Sequence, residues 1–424
     1  MSETSQLFVV NHNQLRAMKT KLTTGLLACV FFCLINLQAA EPSTVLKGTK
    51  RGNRQAVRLQ PGGPGITKDP LRFGNHDGAA ILSRGGDEET EKAVQRALDW
   101  FTKKQLADGH WEETLSPIAH TGLVMMCYMA YGAVPGKDGP YREQLDKAVA
   151  WLLKRVGPEG ELRDGGRMYD QSIGTLALSE AYGLSKDERL KEPVKKAVAY
   201  LCKAQNPETG GWRYAPYHEA SSAGDLSVSG WVIMALASAQ MAGLDVPQTI
   251  RLKGLGFLDR VCAGGEQGLY GYMNKLPTPS MTAEGMYSVE LFSGAAPTKR
   301  LDESAAYLMT HLPDKKQESY YYWYYGTLAL RLYSDSPEGA KAWEEWNSRM
   351  KPLLLSEQKE DGHWAAVGGR AKEDGDIATT AWATLMLEVY YRYLPLYGRA
   401  PVLVLAKLGG TRRGGTRPTA GRPQ

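Results

Sequence analysis

Apolar positions recur along this chain with a helical spacing, and they do so in six separate blocks. Val94, Leu98 and Phe101 form the first, and Leu145, Val149, Leu152 and Leu153 the second. Val194, Val198, Leu201 and Cys202 follow, then Ile250, Gly254, Phe257 and Leu258. Leu301, Ala305, Leu308 and Met309 make the fifth, and Trp346, Met350, Leu353 and Leu354 the sixth. Apolar residues at i, i+4 and i+7 mark a helix buried along one face. The blocks start about 50 residues apart, and a fixed period of that size is a repeat architecture. Each block is followed by a segment apolar nearly all round. These run over 120–131, 170–182, 225–241, 283–292, 320–333 and 376–393. A helix without a polar face is one that is covered on all sides.

Six half-buried helices alternating with six fully buried ones make twelve. Closing them into a ring covers every inner helix and leaves no exposed end face. The pattern therefore predicts an all-α, single-barrel (α/α)6 toroid over residues 88–397. An open solenoid is the alternative, but such arrays need polar caps, and none is evident.

Three outer helices end in a common signature. Gln105-Leu-Ala-Asp-Gly-His-Trp111 returns as Gln358-Lys-Glu-Asp-Gly-His-Trp364, and more loosely as Gln205-Asn-Pro-Glu-Thr-Gly-Gly-Trp212. The glycine suits the left-handed residue that ends a helix. The glutamine amide can serve unpaired groups at helix ends, and the indole can plug the gap between neighbouring helices. His110 and His363 read as turn residues.

Outside the repeats the composition changes. Met18-Lys-Thr-Lys21 is basic, residues 22–37 carry no charge, and Gln38-Ala-Ala40 offers small residues for cleavage. That order predicts an export signal over residues 1–40, with Met18 as a possible start. An uncleaved N-terminal anchor helix is the alternative. Residues 41–87 read as a disordered basic Gly/Pro linker, and 398–424 as a disordered basic tail. The net charge of +5 sits disproportionately in these ends, so it gives no case for a nucleic-acid partner. Attraction to anionic envelope polymers or a membrane surface is the sharper reading of the tail. Cys127, Cys202 and Cys262, left after the signal, read as buried thiols.

The outer-helix pattern with its Gln…Gly-x-Trp exits resembles the QW repeat of the prenyltransferase and squalene-oxidase repeat superfamily. That group includes squalene–hopene cyclases and the β subunits of protein prenyltransferases. The resemblance implies an α/α toroid. Asp374-Gly-Asp376-Ile-Ala-Thr-Thr-Ala381 is similar to the cyclase motif Asp-x-Asp-Asp-Thr-Ala, with Ile377 and Ala378 departing from it. On that likeness Asp376 is the general acid and Asp374 its partner. The prenyltransferase zinc ligands fall on Glu284, Met286 and Thr379, where a thioether and a hydroxyl replace thiolate and imidazole. No metal and no cofactor is therefore expected.

Asp170, Asp225 and Asp376 occupy matching first positions of three inner helices. They read as N-caps, or as a ring of carboxylates at the mouth of a central cavity. Glu284 and His120 are candidate binding residues beside them. Tyr320-Tyr-Tyr-Trp-Tyr-Tyr325 puts aromatics on every face of one helix start, and Tyr320, Tyr322 and Trp323 are its candidates for ligand contact. Three functions stay open. One is an exported ligand-binding or interaction protein of the envelope, its cavity holding an apolar isoprenoid or a glycan. The second is a class II terpene cyclase acting through Asp376. The third is a glycan-processing enzyme with paired carboxylates.

Overall fold

The computed structural model describes residues 85–113, 117–163, 166–293, 298–317, 319–367 and 371–390, with the strands Val57–Arg58 and Val404–Leu405. The chain divides into units 1–55 and 56–424, and every described residue belongs to the second. The expected signal segment, and nearly all of the linker and tail, lie outside the described residues. Among the described residues no helix is long and apolar enough to cross a membrane.

Twelve α-helices stand among the described residues. The outer ones are α1 (Glu88–Lys104), α3 (Arg142–Leu153), α5 (Glu188–Lys203), α7 (Gln248–Val261), α9 (Lys299–Met309) and α11 (Pro337–Glu357). The inner ones are α2 (Pro117–Ala130), α4 (Met168–Ser185), α6 (Leu226–Met241), α8 (Pro279–Ser293), α10 (Tyr320–Tyr333) and α12 (Ala371–Glu388). Two short antiparallel ladders accompany them. β1 (Val57–Arg58) pairs with β4 (Val404–Leu405), and β2 (Cys262–Ala263) pairs with β3 (Leu269–Tyr270).

Each inner helix packs on the next, and α12 returns to α2, while α11 and α12 also meet α1. The fold is an (α/α)6 toroid. Its seam is held by named bonds. Lys351 reaches the Asp87 carboxylate that caps α1, at 2.9 Å. Arg96 Nε donates to Gln358 Oε1 at 3.1 Å, and the His363 ring stacks on Trp100 with centroids 5.3 Å apart. The first and last repeats thus close on each other as the hydrophobic pattern requires.

The three exit turns share one construction. Gln105, Gln205 and Gln358 each donate from Nε2 to the carbonyl of the turn glycine, Gly109, Gly210 or Gly362, at 2.8–2.9 Å. The same amide reaches a carbonyl of the next outer helix: Gln144, Ile250 or Ala93. The indoles of Trp111, Trp212 and Trp364 donate back to Phe101, Leu201 and Leu354, each at 2.8 Å. Their own backbone amides bond a hydroxyl on the following inner helix: Thr121, Ser229 or Thr380. One turn therefore staples an outer helix, its successor and an inner helix. Two further turns keep the plan without a tryptophan. Gln171 accepts from the Leu162 amide at 2.5 Å and donates to Gly160 O at 3.0 Å, and Thr282 accepts from the Tyr270 amide at 3.1 Å. Leucine and tyrosine conceal these two copies from a search for Gly-x-Trp.

Cys127 and Cys262 are buried free thiols as expected, whereas Cys202 is only half-buried. At the C-terminal end of α12, Glu388 is fully buried and neither carboxyl oxygen has a hydrogen bond among the described residues. Burial, and then the nearby Glu91, hold its pKa well above the usual value. An acid that binds its proton more tightly in the folded state loses stability as pH rises from its unfolded value towards its folded one. Stability should therefore fall with pH above about 4.5 by up to ~1.4 kcal/mol per unit from this group. Glu388→Met should flatten that slope and raise stability at neutral pH, as urea unfolding at several pH values would show. An unchanged slope would mean that the carboxylate is solvated or paired.

Candidate functional site at the mouth of the inner ring

The N-terminal ends of the inner helices form one mouth of the toroid, and the candidate residues distribute unevenly around it. Asp225 caps α6 as expected. Its Oδ1 accepts from the Val228 amide and the Ser227 hydroxyl, each at 2.9 Å, and Oδ2 pairs with Arg213 at 3.0 Å. The side chain is wholly buried, and burial raises its pKa against the pull of those partners.

The other two aspartates do not cap their own helices. α4 begins at Met168, so Asp170 lies inside its first turn, where Oδ1 accepts from the Ala119 amide of neighbouring α2 at 3.3 Å. Asp376 follows a break at Gly375, whose φ of 81° interrupts α12. Its Oδ1 accepts from the Ala366 amide at 2.7 Å, ten residues upstream. The role expected of Asp376 as a cap falls instead to Glu113 of the first repeat, whose Oε2 accepts from the Ile377 amide at 2.8 Å. The Asp376 side chain is 38% exposed and lies 3.7 Å from His363 Nε2. That is no apolar pocket. Asp374 is half-buried, and its backbone carbonyl accepts from His120 Nε2 at 3.0 Å. Burial lowers the pKa of His120 and so favours its neutral form.

His110 and His363 are turn residues, as their position suggested. Each is pinned to the aspartate two residues before it, Asp108 or Asp361, and stacks on a tryptophan of the next outer helix, Trp151 or Trp100.

The aromatic run divides by helix face. Tyr320, Tyr322 and Trp323, the three candidates for ligand contact, are buried. Tyr322 donates to His311 O at 2.7 Å and sets its ring against Trp346 of α11, while Tyr320 and Trp323 pack together with centroids 5.1 Å apart. Tyr322 and Trp323 help to line a crevice of about 290 Å³ with Pro279, Ser280, His311, Leu312 and Ser319. Tyr321, between Tyr320 and Tyr322, faces the neighbouring inner helices α6 and α8.

Tyr321 donates to Glu284 Oε2 at 3.0 Å and lies 3.5 Å from Ser227 O. Ser227 Oγ is 2.6 Å from the Tyr169 hydroxyl and donates onward to Asp225. Glu284 is wholly buried against Gly230 of α6, where a Cβ would meet Oε1 at 2.1 Å. Arg213 extends the chain outward. Its guanidinium lies over the rings of Tyr214 and Tyr272, whose hydroxyls are 2.6 Å apart. Four inner helices thus meet in one network: two buried carboxylates, Asp225 and Glu284, lie behind the half-buried tyrosines Tyr169, Tyr214, Tyr272 and Tyr321. Among the described residues, no group of three or more His, Cys, Asp or Glu side chains is placed to hold a metal ion.

Solved structures share this architecture. A UGL aspartate-to-asparagine variant with dGlcA-Glc-Rha-Glc superposes with a TM-score of 0.55 at 13% identity, over 73% of this chain and 97% of that one. An inactive α-1,6-mannanase variant, GH76A of Salegentibacter sp. with α-1,6-mannotriose, gives 0.54 at 11% identity, over 71% and 99%. A type II terpene cyclase variant, MstE from Scytonema with geranylgeranyl dihydroxybenzoate, gives 0.51 at 16% identity, over 74% and 100%. These likenesses show the fold. No protein-family model matches the sequence, and no curated protein matches it.

Tyr169, Ser227, Arg213, Tyr321 and Glu113 were not among the residues singled out from sequence. Tyr169 and Ser227 flank aspartates that were, so the helix starts carried the signal. Tyr321 sits between two tyrosines of the same type, and only the helix phase separates them.

Proposed function

We propose that this chain is an exported toroidal protein that binds a ligand at the N-terminal mouth of its inner ring. The observation that carries the reading is the hydrogen-bonded chain Asp225–Ser227–Tyr169 and Tyr321–Glu284, drawn from four separate inner helices. Hydroxyls and aromatic faces over buried acids give a few convergent polar groups in an aromatic setting, the usual make-up of a ligand site. Export is the reading of the basic, uncharged and small-residue order over residues 18–40. N-terminal sequencing of the exported product should begin near Ala40 or Glu41, and recovery of the intact chain in the cytosol would refute it.

A class II cyclase is the second reading, and the likeness of Asp374-Gly-Asp376 to the cyclase motif favours it. Such an acid protonates an alkene best from an apolar pocket that keeps it neutral, and the exposure of Asp376 argues against that. The fold neighbours include both a terpene cyclase and a mannanase.

One titration series separates the readings. Wild type, Tyr321→Ala and Asp376→Asn are each tested for binding of α-1,6-mannotriose and geranylgeranyl dihydroxybenzoate, with products analysed by mass spectrometry. Tyr321→Ala should weaken binding about tenfold, through one lost hydrogen bond and one lost aromatic contact. Asp376→Asn should leave it within about twofold. Cyclic product from wild type that disappears in Asp376→Asn would establish the cyclase instead.

A further inference from the structure

The crevice beside Tyr322 and Trp323 has no part in the network at the mouth. A cavity of ~150 Å³ holds benzene, so this one, at about 290 Å³, has room for a small molecule built on one ring. The first turns of α8 and α10 meet there, with Pro279 and Ser280 from one and Ser319 and Tyr322 from the other. His311 and Leu312, from the segment joining α9 to α10, complete the wall with Trp323.

The polar side of this wall offers donors. Two helices bring the positive ends of their dipoles to it, and neither first turn carries an acid to offset them. Trp323 is only 1% exposed, yet its indole N–H makes no hydrogen bond among the described residues. A buried indole N–H usually finds a partner, so this one points to a ligand. The half-buried Ser280 hydroxyl is likewise unbonded among them. His311 Nδ1 lies 2.9 Å from the Tyr307 carbonyl, which can only accept, so Nδ1 carries a proton and Nε2 is left for another partner. No residue of the wall is acidic. Pro279, Leu312 and the Tyr322 ring supply an apolar side, and the Tyr322 hydroxyl is engaged with His311 O.

We propose that the crevice binds a small organic carboxylate, with its charged group towards His311 and Trp323 and its hydrocarbon body against Leu312, Pro279 and Tyr322. A carboxylate accepts from the indole N–H and from a serine hydroxyl at once. It also gives His311 Nε2, once protonated, a charge-assisted bond. Helix N-termini favour the same charge. Inorganic phosphate would satisfy the donors and leave the apolar side unfilled. A neutral alcohol of similar shape would forgo the stronger, charge-assisted bond. This is a second site, distinct from the one proposed at the mouth, since Tyr321 bonds Glu284 whereas the two residues after it line the crevice.

The test measures binding of benzoate, benzyl alcohol and inorganic phosphate by calorimetry for wild type, His311→Asn and Trp323→Phe. Asparagine keeps a donor for the Tyr307 carbonyl and removes Nε2, and phenylalanine keeps a ring and removes the N–H. Benzoate should bind wild type, and each variant should bind it about three- to tenfold more weakly. Benzyl alcohol and phosphate should bind wild type about tenfold more weakly than benzoate, or not at all. Histidine-ring NMR spectra locate the ligand. The His311 signal, assigned by its absence from His311→Asn, should shift with benzoate, and that of His120 should not. Thermal unfolding checks that the variants are folded. Should Trp323→Phe fail to fold, His311→Asn, at a half-buried position outside the helices, carries the comparison. No benzoate binding to wild type, equal affinity in folded His311→Asn, or a shift at His120 without one at His311 would overturn the proposal. Phosphate or benzyl alcohol bound as tightly as benzoate would overturn it too, because no organic anion would then be selected.

Discussion

Trp364→Ala is expected to lower the stability of the toroid by about 3–5 kcal/mol, the range for a buried tryptophan cut to its Cβ. The side chain is completely buried. Its indole N–H ties back to Leu354 O at 2.8 Å, and its backbone amide holds Thr380 of α12 at 3.0 Å. The same turn carries the ring closure, since Gln358 reaches Ala93 O at 2.8 Å and His363 stacks on Trp100. Losing the indole opens a void at the one place where chain ends must meet. Trp364→Phe refills most of that void and loses the N–H bond, so it should cost less, on the order of 1–2 kcal/mol. Urea unfolding of both variants measures the difference. Equal, small losses would mean that the seam is not where the fold is secured.

Gly210→Ala should cost about 2–5 kcal/mol, from a left-handed backbone combined with a clash. The residue has φ of +82°, and a Cβ would lie 2.0 Å from Lys253 O of α7. Backbone cannot swing aside as a side-chain tip can, so the turn must lift off the next outer helix and strain the Gln205 bond to Ile250 O. Gly132→Ala is the control. It has φ of +108° with nothing within 4 Å of a Cβ, so only the conformational cost of about 1–2 kcal/mol remains. If both substitutions cost the same, close packing of the exit turn is not what demands glycine there.

The ring was legible because its two layers carry different hydrophobic patterns. Val94, Leu98 and Phe101 leave one face of α1 polar, whereas residues 226–239 of α6 are buried without interruption. Burial on every side needs neighbours on every side, and six such helices at an even period have a ring as the compact solution. The exit turns were legible where the indole was present and hidden at Leu162 and Tyr270, since the hydroxyl or amide that holds the turn comes from the next helix.

The mouth was legible only in part. Asp225 and Glu284 were found, and both stand in the network. Asp170 and Asp376 look equivalent to Asp225 in sequence, but helix α4 starts two residues before Asp170 and Gly375 breaks the chain ahead of Asp376. A cap depends on where hydrogen bonding begins, and element boundaries are what sequence patterns fix least well. Tyr322 and Trp323 line a crevice, whereas Tyr321 bonds Glu284. A run of six aromatics has no polar position to reveal its phase, so which ring faces inward is decided by contacts with Trp346 on one side and Glu284 on the other.

The most direct test of the mouth site is a structure of the protein with the ligand that binds it best in the titrations. The ligand is expected against Tyr169 and Tyr321, with Glu284 and Asp225 behind them. A ligand seated beside Asp376 and touching neither Tyr321 nor Tyr169, or one held in the crevice lined by Tyr322 and Trp323, would contradict it.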